Sequence, residues 1–204
     1  MTYLCFRPMV AIINYNAGNI RSVLYALERI GVTHELTADP AKIRAADKVI
    51  FPGVGHAAST MAHLNETGLA DVIRSLTQPV FGVCVGMQLL CSHSEEGDVD
   101  CLGIFPEQVR QFRPVDGEKV PHMGWNDVQV RDGNGWLSPE VDGGYCYYVH
   151  SYFVEPGPDT VATTRYCGTD FAAMMQRDNF YAAQFHPEKS AKVGDRIIRD
   201  FLAV

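Results

Sequence analysis

The sequence predicts an α/β fold with a central, mostly parallel sheet flanked by helices and an antiparallel or mixed extension in the second half. Three observations carry that reading. Up to about residue 90, short apolar runs alternate with stretches of helical periodicity, which is the βαβ pattern. The fourth of those runs ends in Gly82-Val-Cys84-Val-Gly86, a tight passage from strand to helix. Beyond about residue 100 the runs shorten, alternate with period two and are separated by Gly, Pro, Asp and Asn.

Taken in order, Val10 to Asn14 reads as the first strand and feeds the turn-rich loop Asn14-Tyr-Asn-Ala-Gly-Asn19, where Gly18 can adopt positive φ. Apolar residues at 20, 23, 24, 27 and 30 keep helical spacing until Gly31 closes the helix. Thr33 to Leu36 reads as strand two, Asp39-Pro40 as an N-cap with proline in the first turn, and Lys48 to Phe51 as strand three. Strand three runs into Pro52-Gly53-Val54-Gly55, whose glycines leave the peptide N–H groups accessible to an anion. Two amphipathic segments follow, the second marked by Leu69, Val72, Ile73 and Leu76. Strand four, Val80 to Val83, then enters the turn at Cys84 and a helix expected near Gly86. In the second half, strands are expected over 126–131, 145–149, 160–166, 171–176 and 181–185. An amphipathic helix near 193–203 follows, its buried stripe formed by Ile197, Ile198, Phe201 and Leu202.

The chain has 204 residues, 47% of them hydrophobic, enough for one sizeable core, and no linker divides it. A formal charge of −7 argues against a nucleic-acid or anionic-membrane surface, since both need clustered Lys and Arg. The partner expected is a small molecule or a protein. Residues 1–9 lack the pattern of a secretory signal, and the longest apolar run is too short to span a bilayer, so a cytoplasmic setting is expected. The six cysteines form no Cys-x-x-Cys pair, and five of them are expected as small core side chains. The seven histidines show no ligand spacing, His56 and His63 reading as a helix face. Neither a metal nor another cofactor is expected.

Chemistry enters with two motifs. In Gly-x-Cys-x-Gly the tight turn lifts Cys84 out of the sheet, and the start of a helix favours the thiolate that attacks a carbonyl carbon. Taken alone, the same residues also suit any closely packed strand-to-helix junction. The last strand delivers Gln184-Phe-His186-Pro-Glu188-Lys-Ser190, where alternation along an extended segment puts His186 and Glu188 on one side. Cysteine, imidazole and carboxylate are the three roles of a nucleophile, a proton carrier and the group that fixes its tautomer.

With these motifs in place the chain resembles the class I, triad-type glutamine amidotransferases, in which Gly-x-Cys-x-Gly-x-Gln precedes a His-Pro-Glu strand; Gln88 completes the first motif. Within that class it is similar to the glutaminase subunits of imidazole glycerol phosphate synthases over nearly its whole length. Gly18 to Val23, Pro52 to Gly55, Ser94 to Gly97, Val120 to Asn126, Tyr148 to Tyr152 and Gln184 to Ser190 carry the resemblance. The resemblance implies the three-layer fold of that class. It implies hydrolysis of glutamine to glutamate and ammonia, with ammonia passed to a cyclase subunit of (β/α)8 type in histidine biosynthesis. Cys84, His186 and Glu188 would be catalytic, and backbone N–H groups around Gly53, Val54 and Val85 would form the oxyanion hole. Gly55, Gln88, Glu96, Ser151 and Tyr152 would bind the substrate, the last two through their backbone. His122, Trp125, Tyr147 and Lys189 are expected on the docking face because large aromatic and charged groups dominate interfaces; Trp125 is equally open to a core role. The Gly53-Val54 peptide is expected as a switch, its N–H turned from the substrate until the partner docks.

The family's first loop commonly reads Asp-Tyr-Gly-x-Gly-Asn, and here it is Asn14-Tyr-Asn-Ala-Gly-Asn19; Val85 stands where leucine is common. Residues 1–8 precede the family's usual start and are read as a lead, disordered or a product of start-codon choice, with 9–204 as one domain. Competing readings are a glutaminase serving anthranilate, guanylate or pyridoxal phosphate synthesis, a catalytically silent regulatory domain of this fold, and a cysteine hydrolase of another amide.

Overall fold

A computed structural model of the chain describes residues 8–15, 20–114, 117–133 and 135–204. Residues 1–7 of the expected lead and residues 16–19, with the turn expected at Gly18, lie outside the described residues. The first half alternates as expected: β1 (Met9–Ile13), α1 (Arg21–Ile30), β2 (Thr33–Thr37), α2 (Pro40–Ala45), β3 (Lys48–Phe51), α3 (Ala57–Glu66), α4 (Leu69–Arg74), β4 (Val80–Val83) and α5 (Val85–Leu90). Gly31 ends α1 with φ 82°, and the Asp39 carboxylate caps α2 by accepting the Ala41 N–H at 2.8 Å. The helix after Cys84 starts at Val85, one residue ahead of the expected Gly86.

The second half contains β5 (His93–Ser94), β6 (Val99–Asp100), β7 (Gln108–Gln111), β8 (His122–Asp127), β9 (Gln129–Val130), β10 (Tyr145–His150), β11 (Tyr152–Val154), β12 (Thr160–Tyr166), β13 (Thr169–Arg177) and β14 (Phe180–Ala183), before α6 (Ala191–Ala203). The main sheet has the order β2-β1-β3-β4-β14-β13-β12-β9, parallel from β2 to β14 and antiparallel beyond it. This is the expected α/β sheet with an antiparallel extension. A two-stranded ribbon of β8 and β10 and a small sheet β11-β7-β5-β6 stand apart from it.

The strand expected over 126–131 is split, with β8 beginning four residues earlier, at His122, and β9 joining a different sheet. The strands β5, β6, β7 and β11 have no counterpart in the expectations. They are two to four residues long, too short to show a period.

Parallel pairing of β14 with β4 positions the site. Val80 faces Phe180 and Val83 faces Ala183, so both strands leave the sheet at one edge, and the Cys84 N–H donates to Ala183 O at 2.8 Å. A pocket at the carboxyl ends of parallel strands is where open α/β sheets build their sites.

Candidate active site

Cys84 joins β4 to α5 with φ 54° and ψ −113°, a conformation that costs on the order of 1–3 kcal/mol and persists only where the surroundings impose it. Two glycines impose it. A Cβ on Gly86 would stand 2.1 Å from Phe51 O, and one on Gly53 would stand 1.9 Å from Gly86 N. Only the absence of both side chains lets the 51–53 backbone lie directly against the first turn of α5.

Cys84 leaves the sheet at the turn without reaching open solvent. It is 4% exposed and lies on the wall of a pocket of about 300 Å³ that Val54, Gly55, Val85, Gln88, Glu96 and His186 also line. Pro121, Val149, His150, Ser151 and Tyr152 complete the lining.

His186 and Glu188 meet, but not by strand alternation. β14 stops at Ala183, and Pro187–Lys189 form a single 3-10 turn that folds the carboxylate back onto the ring. The Nδ1–H of His186 donates to Glu188 Oε1 at 2.8 Å, with both side chains almost buried. Burial works against a proton on His186, yet the hydrogen bonds to the Cys84 sulfur and to Glu188, with their charges, prevail and hold the imidazole well above its ordinary value. Ser190 locks the turn in place. Its hydroxyl donates to His186 O at 2.7 Å and accepts the Tyr147 N–H at 2.9 Å, while the His186 N–H donates to Tyr147 O at 2.9 Å.

Gln88 is 2% exposed, and its amide nitrogen donates to Tyr152 O at 2.8 Å and to Gln184 Oε1 at 3.0 Å. Both amide hydrogens are committed, so what Gln88 can offer a ligand is its carbonyl oxygen. Glu96 accepts the Ala57 N–H at 2.7 Å through Oε2 and so caps α3. Two acceptors facing one pocket suit a ligand ammonium group.

Gly53 is buried behind Val54 and Gly55. The Tyr15 hydroxyl donates to Pro52 O at 2.5 Å. Burial first, then the nearby Cys84, raises the Tyr15 hydroxyl above its ordinary range, so it stays a neutral donor.

Of the residues expected on a docking face, Trp125 and Lys189 are exposed and Tyr147 half-buried. The Trp125 and Tyr147 rings meet at 6.0 Å, and Lys189 Nζ lies 5.9 Å from the Tyr147 ring. Together with Met123 and Tyr145 they make one outward face of the β8–β10 ribbon. The core role for Trp125 therefore fails, since it is 53% exposed. His122 is corrected in the opposite sense. It is 3% exposed because alternation along β8 sends residues 122, 124 and 126 inward, and its ring stacks between Tyr148 and Tyr166.

Sequence reasoning missed three groups here. Gln184 Nε2 donates to Cys84 Sγ at 3.9 Å, and its place next to the His-Pro-Glu motif was the available signal. His150 and Pro121 line the pocket too, and although both stand inside stretches that carry the resemblance, no role was read for either. Among the described residues no group of three His, Cys, Asp or Glu could hold a metal, and no helix is long and apolar enough to cross a membrane.

The family model described as "Glutamine amidotransferase class-I" matches residues 11–204. A protein of Bacteroides thetaiotaomicron named "Imidazole glycerol phosphate synthase subunit HisH" is 53% identical over 197 residues, covering 95% of this chain and 98% of the relative. The protein of the same name from Idiomarina loihiensis is 47% identical, covering 95% and 96%. Among solved structures, a glutamine amidotransferase superposes with a TM-score of 0.72 at 20% identity, covering 95% of this chain and 97% of its own. PurLQS from Thermotoga maritima gives 0.69 at 16% identity, covering 97% and 99%. At such identities the superpositions speak for the fold alone.

Proposed function

The chain belongs to the class-I glutamine amidotransferases, and from that membership we propose that Cys84, His186 and Glu188 are its nucleophile, proton carrier and orienting carboxylate. Its function is that of the glutaminase subunit of an imidazole glycerol phosphate synthase. The observation that carries the residue assignment is that Cys84 and His186 line one pocket while the Glu188 carboxylate holds the His186 ring at 2.8 Å.

The substrate is glutamine. The Cys84 thiolate attacks its side-chain amide carbon, forming a C–S bond and a tetrahedral oxyanion. His186 gives its proton to the amide nitrogen, and ammonia departs as the C–N bond breaks. Water, deprotonated by His186, then attacks the thioester; glutamate leaves and the thiolate returns. The carbonyl oxygen of Gln88 and the carboxylate of Glu96 receive the α-ammonium group, with Gly55, Ser151 and Tyr152 shaping that end. The Val85 N–H and the Gly53-Val54 peptide hold the oxyanion.

The Gly53-Val54 peptide is the proposed switch, because glycine lowers the barrier to rotating it and its N–H can turn from the oxyanion until the partner docks. While it is turned away the oxyanion lacks one donor, and loss of one such donor lowers a rate on the order of 10² to 10³. The partner is a cyclase subunit of (β/α)8 type that receives ammonia across the outward face of the β8–β10 ribbon, where Trp125, Tyr147 and Lys189 stand. Residues 9–204 act as one domain. The setting is the cytoplasm.

The test is Cys84→Ala in the assembled synthase. Glutamine-dependent synthesis should vanish while synthesis from added ammonium salts persists, because only the release of ammonia uses the thiolate. Glutamine-dependent product from that variant would refute the assignment.

A further inference from the structure

Two buried histidines that the proposed chemistry does not use lie between the pocket and the outer ribbon. His150 is 6% exposed at the end of β10 and His122 3% exposed at the start of β8, and the two face each other in the register of the ribbon. His150 Nδ1 lies 2.7 Å from Tyr152 O, and His122 Nδ1 lies 3.1 Å from His150 Nε2. Asn126 Nδ2, which donates to Arg165 O at 3.0 Å, lies 3.4 Å from His122 Nε2.

The carbonyl at the inner end dictates every proton in this series. Tyr152 O can only accept, so His150 carries its proton on Nδ1 and its Nε2 is an acceptor. His122 must then donate from Nδ1, which leaves its Nε2 to accept from Asn126. Stacking at 4.8 Å on Tyr148 and 3.9 Å on Tyr166 keeps the His122 ring from turning out of line.

Tyr152 O is also the acceptor for Gln88 Nε2, whose second hydrogen goes to Gln184 Oε1, and Gln184 Nε2 in turn donates to Cys84 Sγ. We propose that His122 and His150 are positioning residues: a buried series of hydrogen bonds from Asn126 through both rings to Tyr152 O fixes the amide orientation of Gln88, turning its carbonyl oxygen toward the substrate. This rests on the reading of the pocket as a glutamine site. The rings act through the Tyr152 carbonyl and do not touch the reacting atoms. Their loss should therefore be felt in substrate binding before turnover.

The experiment compares His122→Phe, which keeps a ring for stacking but breaks the series, with His122→Asn, whose amide N–H stands in for Nδ1–H. In the assembled synthase, His122→Phe should raise KM for glutamine about tenfold, the worth of one such hydrogen bond, with kcat and ammonia-dependent synthesis unchanged. His122→Asn should recover most of that loss. A His122→Phe protein that melts like the parent and keeps its KM overturns the proposal, as does a fall in kcat and ammonia-dependent synthesis together, which marks a merely structural role. Imidazole ¹⁵N spectra of the unaltered chain decide the matter even if the variant fails to fold: Nδ1–H on both rings is expected, and Nε2–H on His150 overturns the proposal. Failure of the unaltered synthase to release glutamate would instead refute the glutamine reading, leaving the spectra to judge the hydrogen-bond series.

Discussion

His186 and His150 line the same pocket, with His122 hydrogen-bonded to His150, and all three are buried, yet their proton affinities are shifted in opposite directions. At the elbow edge, Glu188 and the Cys84 sulfur outweigh burial and raise His186. In the ribbon layer burial acts without a counter-charge, pushing His122 down to about 4. His150 is pushed down to about 3 for the same reason, the hydrogen bond to Tyr152 O opposing, with His122 and His186 adding to the fall. The difference separates two jobs. A ring that moves protons needs a carboxylate beside it, whereas a ring that only orients neighbours is best kept neutral with a fixed tautomer.

The largest effect expected lies in the triad. His186→Ala should cost nearly as much glutaminase rate as Cys84→Ala, with Glu188→Gln milder, because proton transfer is lost in one case and only orientation in the other. Equal residual glutamate release from all three would erase the distinction between moving a proton and holding a ring.

Next comes the backbone of the elbow edge. Gly86→Ala places a Cβ 2.1 Å from Phe51 O, a backbone atom that cannot yield cheaply, so denaturant unfolding should show a loss of about 3 kcal/mol or more. The same substitution at Gly124, in the ribbon, meets nothing within 4 Å but has φ 138°, so its cost is confined to the backbone and should be about 1–2 kcal/mol. Similar losses at both would show that the elbow is no more tightly determined than the ribbon.

Opposite charge states give opposite pH dependence. His122 and His150 bind a proton less readily folded than unfolded, so their contribution is intact above the ordinary histidine value of about 6.5 and is lost as pH falls toward their folded values near 4 and 3. A tenfold difference in proton affinity between the folded and unfolded chain corresponds to about 1.4 kcal/mol of stability. His186 has the reverse sign: its contribution is full below about 6.5 and is lost as pH rises through its raised folded value. Melting curves should therefore fall between about pH 6.5 and 4, and His150→Phe should flatten that fall. An unchanged acid limb would show that the ribbon histidines are not held neutral.

The smallest stability effect belongs to the outer face of the ribbon. Trp125→Ala should change unfolding stability by less than about 0.5 kcal/mol, since the side chain is 53% exposed, yet weaken the complex by about thirtyfold if it anchors the partner. Unchanged affinity would show that Trp125 does not anchor the partner.

The elbow edge was legible in the sequence because its devices are local: glycines at 53, 82 and 86 around a cysteine, and a carboxylate two residues from a histidine. The ribbon layer was not. His122 was read as a surface residue, since β8 was expected to start at 126 and its alternation could not be phased. The role of His150 depends on partners 28 residues away and on a carbonyl, which no spacing records. Even at the elbow edge the reason for the His186–Glu188 contact was misread, since proline turned an expected strand into a 3-10 turn that makes the same pair meet.

With the proposed switch, the pocket chemistry belongs to this chain while its competence depends on what covers the ribbon and turns the Gly53-Val54 peptide toward the oxyanion. The direct measurement is steady-state glutamate release by the chain alone, with the cyclase subunit, and with the cyclase plus the substrate that accepts the ammonia. Release should rise in that order, from nearly silent by a factor on the order of 10² or more. A lone chain that already turns over glutamine at the rate of the full assembly would contradict it.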